Sequence, residues 1–298
     1  MRVRCLSVHA GWACRHSGAC CQAGWSIPIE PRLIASLRAA GLDPGTSGTA
    51  PQLPSGQCTF FEADAGRLCA IHRRGGAALL PSACRHFPRV VVNDARGASV
   101  TLSHFCPTAA GLLFDGTPLA IVEAPPQIAL DGALEGLDAT SVLPPLLAPG
   151  VLVDWEGYSA WEEEAVALFG RHDRHPEAAV RTLTAATGRA AAWKPRRGAL
   201  ATFVRESFAI AGSEVSAEGN ASWGSFLPAV HAFLAAHAFA SWAAYAPAGL
   251  RAVPAAVAEA LAALTVETQR LPALTRDTLT SAVRAADLRL RHGTAARA

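Results

Sequence analysis

"ACRHSGACCQAGW", residues 13–25, sets one cysteine ahead of two adjacent ones. Neighbouring cysteines do not easily close a disulfide on each other. Nor is the spacing of Cys14, Cys20 and Cys21 that of a common zinc knuckle. All eight cysteines, at positions 5, 14, 20, 21, 58, 69, 84 and 106, fall within residues 1–106, and none follows. Two regions under different constraints are implied, and the first is organised by whatever its thiols hold.

The opening segment, "MRVRCLSVHAGWACRHS", carries three arginines but no apolar run of the length a secretory signal needs, so a cytoplasmic location is expected. In a reducing compartment a dense cysteine set binds metal or does redox chemistry rather than forming stable disulfides. With 298 residues, 51% of them hydrophobic and 17% charged, the chain has ample material for a large core, which excludes disorder. Residues 223–250 contain no Asp, Glu, Lys or Arg, and their length would satisfy a membrane span. They are alanine-rich and interrupted by Pro228, His231, His237, Ser241 and Pro247, so they read as a buried or interfacial helix, and no membrane span is expected.

Net charge is +2, unevenly spread: residues 1–110 carry eleven arginines against five acidic residues, whereas the remainder is net acidic. Arg15, Arg73, Arg74, Arg85 and Arg89 either offset the charge of bound thiolates or form a solvated basic face. No aromatic and basic interleaving points to nucleic acid, and no such partner is expected.

The pattern along the chain predicts an α+β, mostly α protein: a small irregular cysteine-cluster domain with short hairpins over 1–120, a Pro/Gly-rich connection over 121–150, and a helical bundle over 151–298. "GWSIPIE" reads as a short strand and "EPRLIASLRAAG" as a helix with Pro31 in its first turn. "EADAG" lies midway between Cys58 and Cys69, and "NDARG" midway between Cys84 and Cys106, so two symmetric hairpins would each deliver a cysteine pair to their open ends. Six helical patterns follow: 159–172, 175–188, 198–212, 225–245, 253–271 and 275–293. No fixed-period repeat is present.

No C-x-x-C occurs anywhere, the tight pair from which structural zinc sites usually draw two ligands. Iron–sulfur clusters accept thiolates dispersed widely in sequence. In extended chain Cys20 and Cys21 would point to opposite sides, whereas a turn would aim both at one cluster. There is no C-x-x-x-C-x-x-C run of the radical enzymes, and no Gly-rich strand-to-helix turn of the kind ordinary methyltransferases use.

The ordered set formed by Cys14, the pair Cys20–Cys21 before Gly24–Trp25, Cys58 before Phe60, "CAIH" from Cys69, "CRHFPR" from Cys84 and "CPTAA" from Cys106 resembles the flagellin lysine N-methylase family. That family sits within the broader YkgJ-type cysteine-cluster proteins, which are described as zinc- or iron-chelating. The likeness covers about residues 10–115. It implies a metal site drawn from Cys14, Cys20, Cys21, Cys58, Cys69, Cys84 and Cys106, with Cys5 outside the pattern. It further implies a 4Fe-4S iron–sulfur cluster, with zinc as the alternative, S-adenosylmethionine as methyl donor, and lysines of a protein substrate, flagellin among them, as acceptors. Two other classes stay open: a non-catalytic zinc or iron chelator, and a redox or electron-transfer module serving a partner enzyme.

Other residues carry weaker signals. His72, His86 and His104 follow or precede cysteines closely enough to ligate metal, to hydrogen-bond a cluster sulfur, or to serve in the core. His9 and His16 lie near the first cysteines in poorly patterned loops. "DWEGYSAWEEE", residues 154–164, gathers carboxylates and aromatics that suit a substrate lysine, or more simply the acidic first turn of a helix. His231 and His237 are six apart, which is not a one-face helical spacing, and read as core or interface histidines.

Overall fold

In the first strand, β1 (Val3–Leu6), Val3 and Cys5 point to one side and Arg4 and Leu6 to the other, and all four are buried. A strand buried on both faces has to lie inside, and the architecture is built around it. The computed structural model describes residues 2–63, 68–130, 134–219 and 223–292. After one helical turn, α1 (Ser7–Ala10), the chain winds irregularly through a 3-10 turn at Cys20–Gln22 to α2 (Pro31–Ala39). Pro31 opens α2, Leu33 and Leu37 form its buried face, and Gly41 at φ +71° lets the chain leave it. Two-residue strands β2 (Phe61–Glu62) and β3 (Leu68–Cys69) pair antiparallel. Short helices α3 (Ala70–Gly75) and α4 (Ser82–His86) then lead to a hairpin, β4 (Arg89–Asp94) and β5 (Gly97–Leu102).

The next stretch holds α5 (Pro107–Leu112), β6 (Ile121–Glu123), α6 (Pro126–Ala129), β7 (Leu137–Asp138) and the small pair β8 (Leu146–Ala148) and β9 (Val151–Leu152). Helices α7 (Trp155–Gly170), α8 (Pro176–Ala190), α9 (Leu200–Glu214), α10 (Leu227–Ala238), α11 (Ala252–Gln269) and α12 (Arg276–His292) complete the chain. The fold is thus α+β and mostly helical, as the sequence pattern predicts, and each of the six helical patterns contains a helix, although the one over 225–245 ends at Ala238, where Phe239 is extended and Ala240 has φ +52°.

A five-stranded sheet in the order β6-β1-β5-β4-β7 stands between the cysteine region and the helices. β1 runs parallel to β5 and antiparallel to β6, so the N-terminus is locked into the middle of the sheet. One face, with Val3, Cys5, Val91, Ala98, Val100 and Leu102, packs with Trp12, Cys106 and Ile128. The other carries Arg4, Leu6, Ser99 and Thr101 toward the helical region. There Thr101 Oγ1 donates to the Ala236 carbonyl at 3.2 Å, and Leu6 and Val92 join the main core around Trp161, Phe169 and Phe233. A third, small core of Ile29, Leu33, Leu37, Phe60 and Ile71 supports the cysteine segment, with Cys58 and Cys69 against it.

The stretch expected to be a connection, 121–150, contributes both edge strands of that sheet, β6 and β7. "GWSIPIE" is not a strand: only an isolated bridge between Pro28 and Thr49 forms there, because Pro28 lacks the donor a ladder needs. Of the two hairpins, the second forms one residue out of the expected register: Arg89 lies opposite Leu102 and Asp94 opposite Gly97, because the turn is the two-residue Ala95–Arg96 and is not centred on Ala95, and Cys84 and Cys106 lie beyond the ladder, in a helix and at the start of one. In the first, Phe61 rather than Cys58 faces Cys69, since pairing is confined to two residues on each side and Cys58 pairs as an isolated bridge with Gln52. Residues 64–67, part of its expected turn, lie outside the described residues.

Two segments, Gly224–Tyr245 and Gly249–Gln269, are long and apolar enough to cross a membrane. Their apolar surface is largely spent inside the protein, 67% and 50% of the most apolar window being buried respectively, so they serve as core helices.

Buried charge ties α7 to the sheet. Glu162 accepts from Arg96 Nη1 at 2.7 Å and from Arg4 Nη2 at 3.4 Å, while Arg96 Nη2 reaches Asp94 at 2.7 Å and its guanidinium lies over the Tyr158 ring. Removing Glu162 leaves two buried guanidinium groups short of a counter-charge. Glu162→Ala is therefore expected to lose about 3–5 kcal/mol in urea unfolding, and a loss within error of zero would show the pairing to be incidental.

His231 on α10 bonds through Nδ1 to the Phe169 carbonyl of α7 at 2.9 Å, and burial pushes its pKa down to about 4. The unfolded imidazole titrates near 6.5. Between those values the unfolded chain binds the proton and the folded chain does not, so this contribution is full above about pH 6.5 and is lost as pH falls toward 4. His231→Asn is expected to flatten the acid limb of the stability curve by about one proton; equal slopes in the two proteins would discount His231.

Candidate metal centre

Local backbone features gather thiols that are far apart in sequence. Gly18 has φ +72°, and a Cβ there would lie 2.3 Å from the Phe61 ring, so only glycine allows this approach. Its carbonyl accepts from the amides of Cys21 (3.1 Å) and Gln22 (3.2 Å), closing the turn that carries the adjacent thiols. The Cys58 amide donates to the Cys21 carbonyl at 2.8 Å, drawing the second segment onto the first. Cys69 stands at the N-terminus of α3, Cys84 lies within α4, and Cys106 precedes α5.

These thiols line two adjoining cavities. The larger, about 260 Å³, is bordered by Cys20, Cys21, Cys58, Cys69 and Cys84 and walled by Trp25, Phe60 and Phe87. The smaller, about 80 Å³, is bordered by Cys14, Cys20, Cys21, Cys69, Cys84 and Cys106, with His16 and His72. All seven cysteines singled out in the sequence therefore reach one cavity or both. Cys5 does not: it lies on the sheet face in the core, where burial pushes its thiol up to about 11. Because Cys20–Gln22 is a turn rather than extended chain, the adjacent thiols both reach the same two cavities.

Cys21 lies within hydrogen-bonding reach of both Cys20 and Cys69, and its single S–H can serve one of them at a time; this proximity raises its own pKa and lowers theirs. Cys69 falls to about 6: the Cys21 thiol is the largest cause, burial opposes it, and the His72 and Ile71 amides at the start of α3 add to the lowering. Burial raises Cys84, and the neighbouring thiolates Cys20, Cys69 and Cys58 add to the effect. Burial likewise raises Cys14 and Cys58.

Among the described residues no carboxylate lines either cavity; the donors are seven thiols and the imidazoles of His16, His72 and His86. Such a set fits zinc, iron–sulfur or another thiophilic metal and not a hard oxygen-seeking cation. As the side chains stand, no three His, Cys, Asp or Glu groups among the described residues converge on one ion position. Backbone placement brings the donors round the cavities, and closing on a metal falls to their side-chain rotations.

The arginines divide. Arg73 and Arg74 pair with Glu62 instead of thiolates, and Arg15 borders the smaller cavity. Arg89 borders the larger one, lies over the Trp12 ring at 4.8 Å, and donates to the carbonyls of Arg85, His86, Gln127 and Ile128. Burial lowers its pKa to about 10, against the raising effect of Cys14.

The histidines also divide. His104 is fully buried, with Nε2 3.1 Å from His9 Nε2, and reaches neither cavity. His86 borders the larger cavity but its Nδ1 bonds the Ser82 carbonyl at 2.9 Å. His231 and His237 are buried within the helical region, as expected of core histidines. In 154–164, Asp154 caps α7 by accepting from the Gly157 amide at 2.6 Å, and the buried Tyr158 and Glu162 are engaged by Arg96 from within the chain. The first-turn reading accounts for Asp154 and Glu156, whereas Glu162, Glu163 and Glu164 lie further along α7.

Sequence reasoning did not find the clamp on the loop before Cys106. Asp287 of α12 accepts from Ser103 Oγ (2.6 Å) and the Phe105 amide (3.2 Å), while Arg284 Nε donates to the Phe105 carbonyl (3.0 Å). Phe105 in turn packs on Trp25 beside the larger cavity. The available signal was one aspartate among the apolar residues and arginines of "SAVRAADLRL".

No curated protein and no solved structure matches the chain. Residues 13–107, the segment that carries all seven cavity thiols, match the family model described as "Putative zinc- or iron-chelating domain".

Proposed function

We propose that this protein chelates iron through its cysteine ring, as a 4Fe-4S cluster seated in the larger cavity, with zinc as the alternative metal. The observation that carries the reading is convergence: five thiols from four separate segments border one cavity that holds no carboxylate among the described residues, while the eighth cysteine, Cys5, packs in the core. Cys20, Cys21, Cys58, Cys69 and Cys84 form the donor set, and the Cys69 thiol, already lowered, is the readiest to lose its proton to a metal.

The finer reading is protein lysine N-methylation, with S-adenosylmethionine as donor and flagellin as an acceptor of the expected kind, in the cytoplasm. What supports it is a cleft of about 630 Å³ between the sheet and α10–α12 that shares His86 and Arg89 with the thiol cavity. Trp242, 52% exposed, and the carboxylates of Glu135 and Glu259 line this cleft and suit a cationic side chain. A bound metal group would supply Lewis acidity or electron transfer. The residues of the cleft orient the substrate.

Anaerobic purification of the full chain, with iron, zinc and acid-labile sulfide analysis, tests the metal. Iron and sulfide together are expected, and zinc without sulfide would reject the cluster but keep chelation. The Cys58→Ala/Cys84→Ala double variant, left with three of the five thiols, is expected to lower bound metal severalfold, whereas Cys5→Ala leaves it unchanged. Full loading in the double variant would overturn the ligand set. Calorimetric titration with S-adenosylmethionine tests the methylase reading, and absence of binding to metal-loaded protein counts against it.

A further inference from the structure

The two cavities hold more donors than one metal group uses. A tetrahedral ion takes four ligands, and a cubane cluster likewise takes four cysteines. The larger cavity alone has five thiols, and the smaller adds Cys14, Cys106, His16 and His72, none of which reaches the larger.

Within this surplus, His16 and His72 face each other from segments 56 residues apart. Their Nδ1 atoms are 3.4 Å apart and their ring centroids 4.7 Å apart. Two ring nitrogens that close, each with only one proton to give, form at best one weak hydrogen bond. Two nitrogens bound to one tetrahedral zinc at the usual bond length stand about 3.3 Å apart, which is close to the separation found. Cys14 Sγ lies 4.0 Å from His16 Nδ1, a little beyond the roughly 3.5 Å edge between a sulfur and a nitrogen on such an ion, so Cys14 has to turn toward the histidine pair to join the set.

His16 is held there by its backbone. It adopts φ +52°, a left-handed conformation uncommon for a residue with a side chain, which reverses the chain between Cys14 and the Gly18 turn. His72 sits in α3, one turn after Cys69 at its N-terminus. The histidine pair is therefore built from two of the segments that carry the cysteines, and it lies on the side of the thiol ring away from Cys58.

We propose that the smaller cavity is a second metal site, taking a zinc-type divalent ion on His16, His72 and Cys14, with Cys106 the nearest further thiol of that cavity. Mixed imidazole and thiolate ligation selects zinc over the all-sulfur preference of an iron–sulfur cluster. The protein thereby holds two metal centres in contact through the thiols common to both cavities: Cys20, Cys21, Cys69 and Cys84. The inference rests on the metal-binding reading above and extends it.

The test is an anaerobic titration of the metal-stripped full chain with Co²⁺, followed by its visible ligand-field bands and by bound-metal analysis after desalting. Wild type is expected to retain about two ions per chain, and the His16→Asn/His72→Asn double variant about one fewer, with the bands of the mixed nitrogen–sulfur site lost. The Cys58→Ala/Cys84→Ala double variant, which leaves three thiols on the larger cavity, should lose the other ion and keep those bands. Near-ultraviolet circular dichroism matching wild type establishes that the histidine variant is folded; should it misfold, the single variants His16→Gln and His72→Gln are read in the same way. Unchanged stoichiometry and bands in the histidine variants overturn the second site while leaving the first. A wild-type chain that retains no cobalt, zinc or iron overturns both.

Discussion

The carboxylate of Asp287 is the constraint on which the arrangement of the two halves depends. It is fully buried, and burial alone would raise its pKa; Arg291 together with His237 and His104 more than offsets this and holds it well below the usual carboxylate range. A charge so placed has to be surrounded by donors. Those donors come from Ser103, from the Phe105 amide and from Arg291, so a single carboxylate binds the last helix to the loop that leads into Cys106. Arg284, one turn earlier, grips the same loop by its carbonyl and covers the Phe105 ring. The helical region is thus a support for the thiol ring as well as a neighbour of it.

The sheet plays the complementary part. Its inner strands β1 and β5 are buried on both sides because one face belongs to the cysteine region and the other to the helices. Polar groups on the second face, Ser99, Thr101 and Arg4, are matched individually: Arg4 donates to Ser99 Oγ, Thr101 to a helix carbonyl, and Arg4 and Arg96 to Glu162. β1 inserts between β5 and β6, so the first residues of the chain cannot leave without breaking two ladders.

Around the thiols the energetic balance is different. The small core under them has eight fully buried apolar residues, and the backbone there is mostly turns and very short elements. Protons now held among Cys20, Cys21 and Cys69 occupy the place where a metal would neutralise thiolate charge. Metal binding to such a segment is coupled to its folding, since the ligands must both deprotonate and turn inward. Arg89, anchored by four carbonyls, stays beside the ring as a fixed positive charge.

The sequence by itself determined what depends on local pattern. The six helices of the C-terminal half follow from apolar periodicity, α2 from Pro31 and the Leu33–Leu37 spacing, and the β4–β5 hairpin from a β-rich run on either side of a turn. The gathering of seven cysteines was legible because they stand apart from the cysteine-free remainder, and Cys5 was separable because it falls outside the motif. Pairing of Phe61 with Cys69, the facing of His16 and His72, and the reach of Asp287 to Ser103 were decided only by tertiary structure. The first turns on where a short hairpin pairs, and the other two join groups distant in the chain: a contact across 56 or 184 residues leaves no period, cap or turn signal in the sequence on either side. Local chemistry fixes which elements form, whereas the cost of burying a charge or orphaning a donor fixes which of them meet.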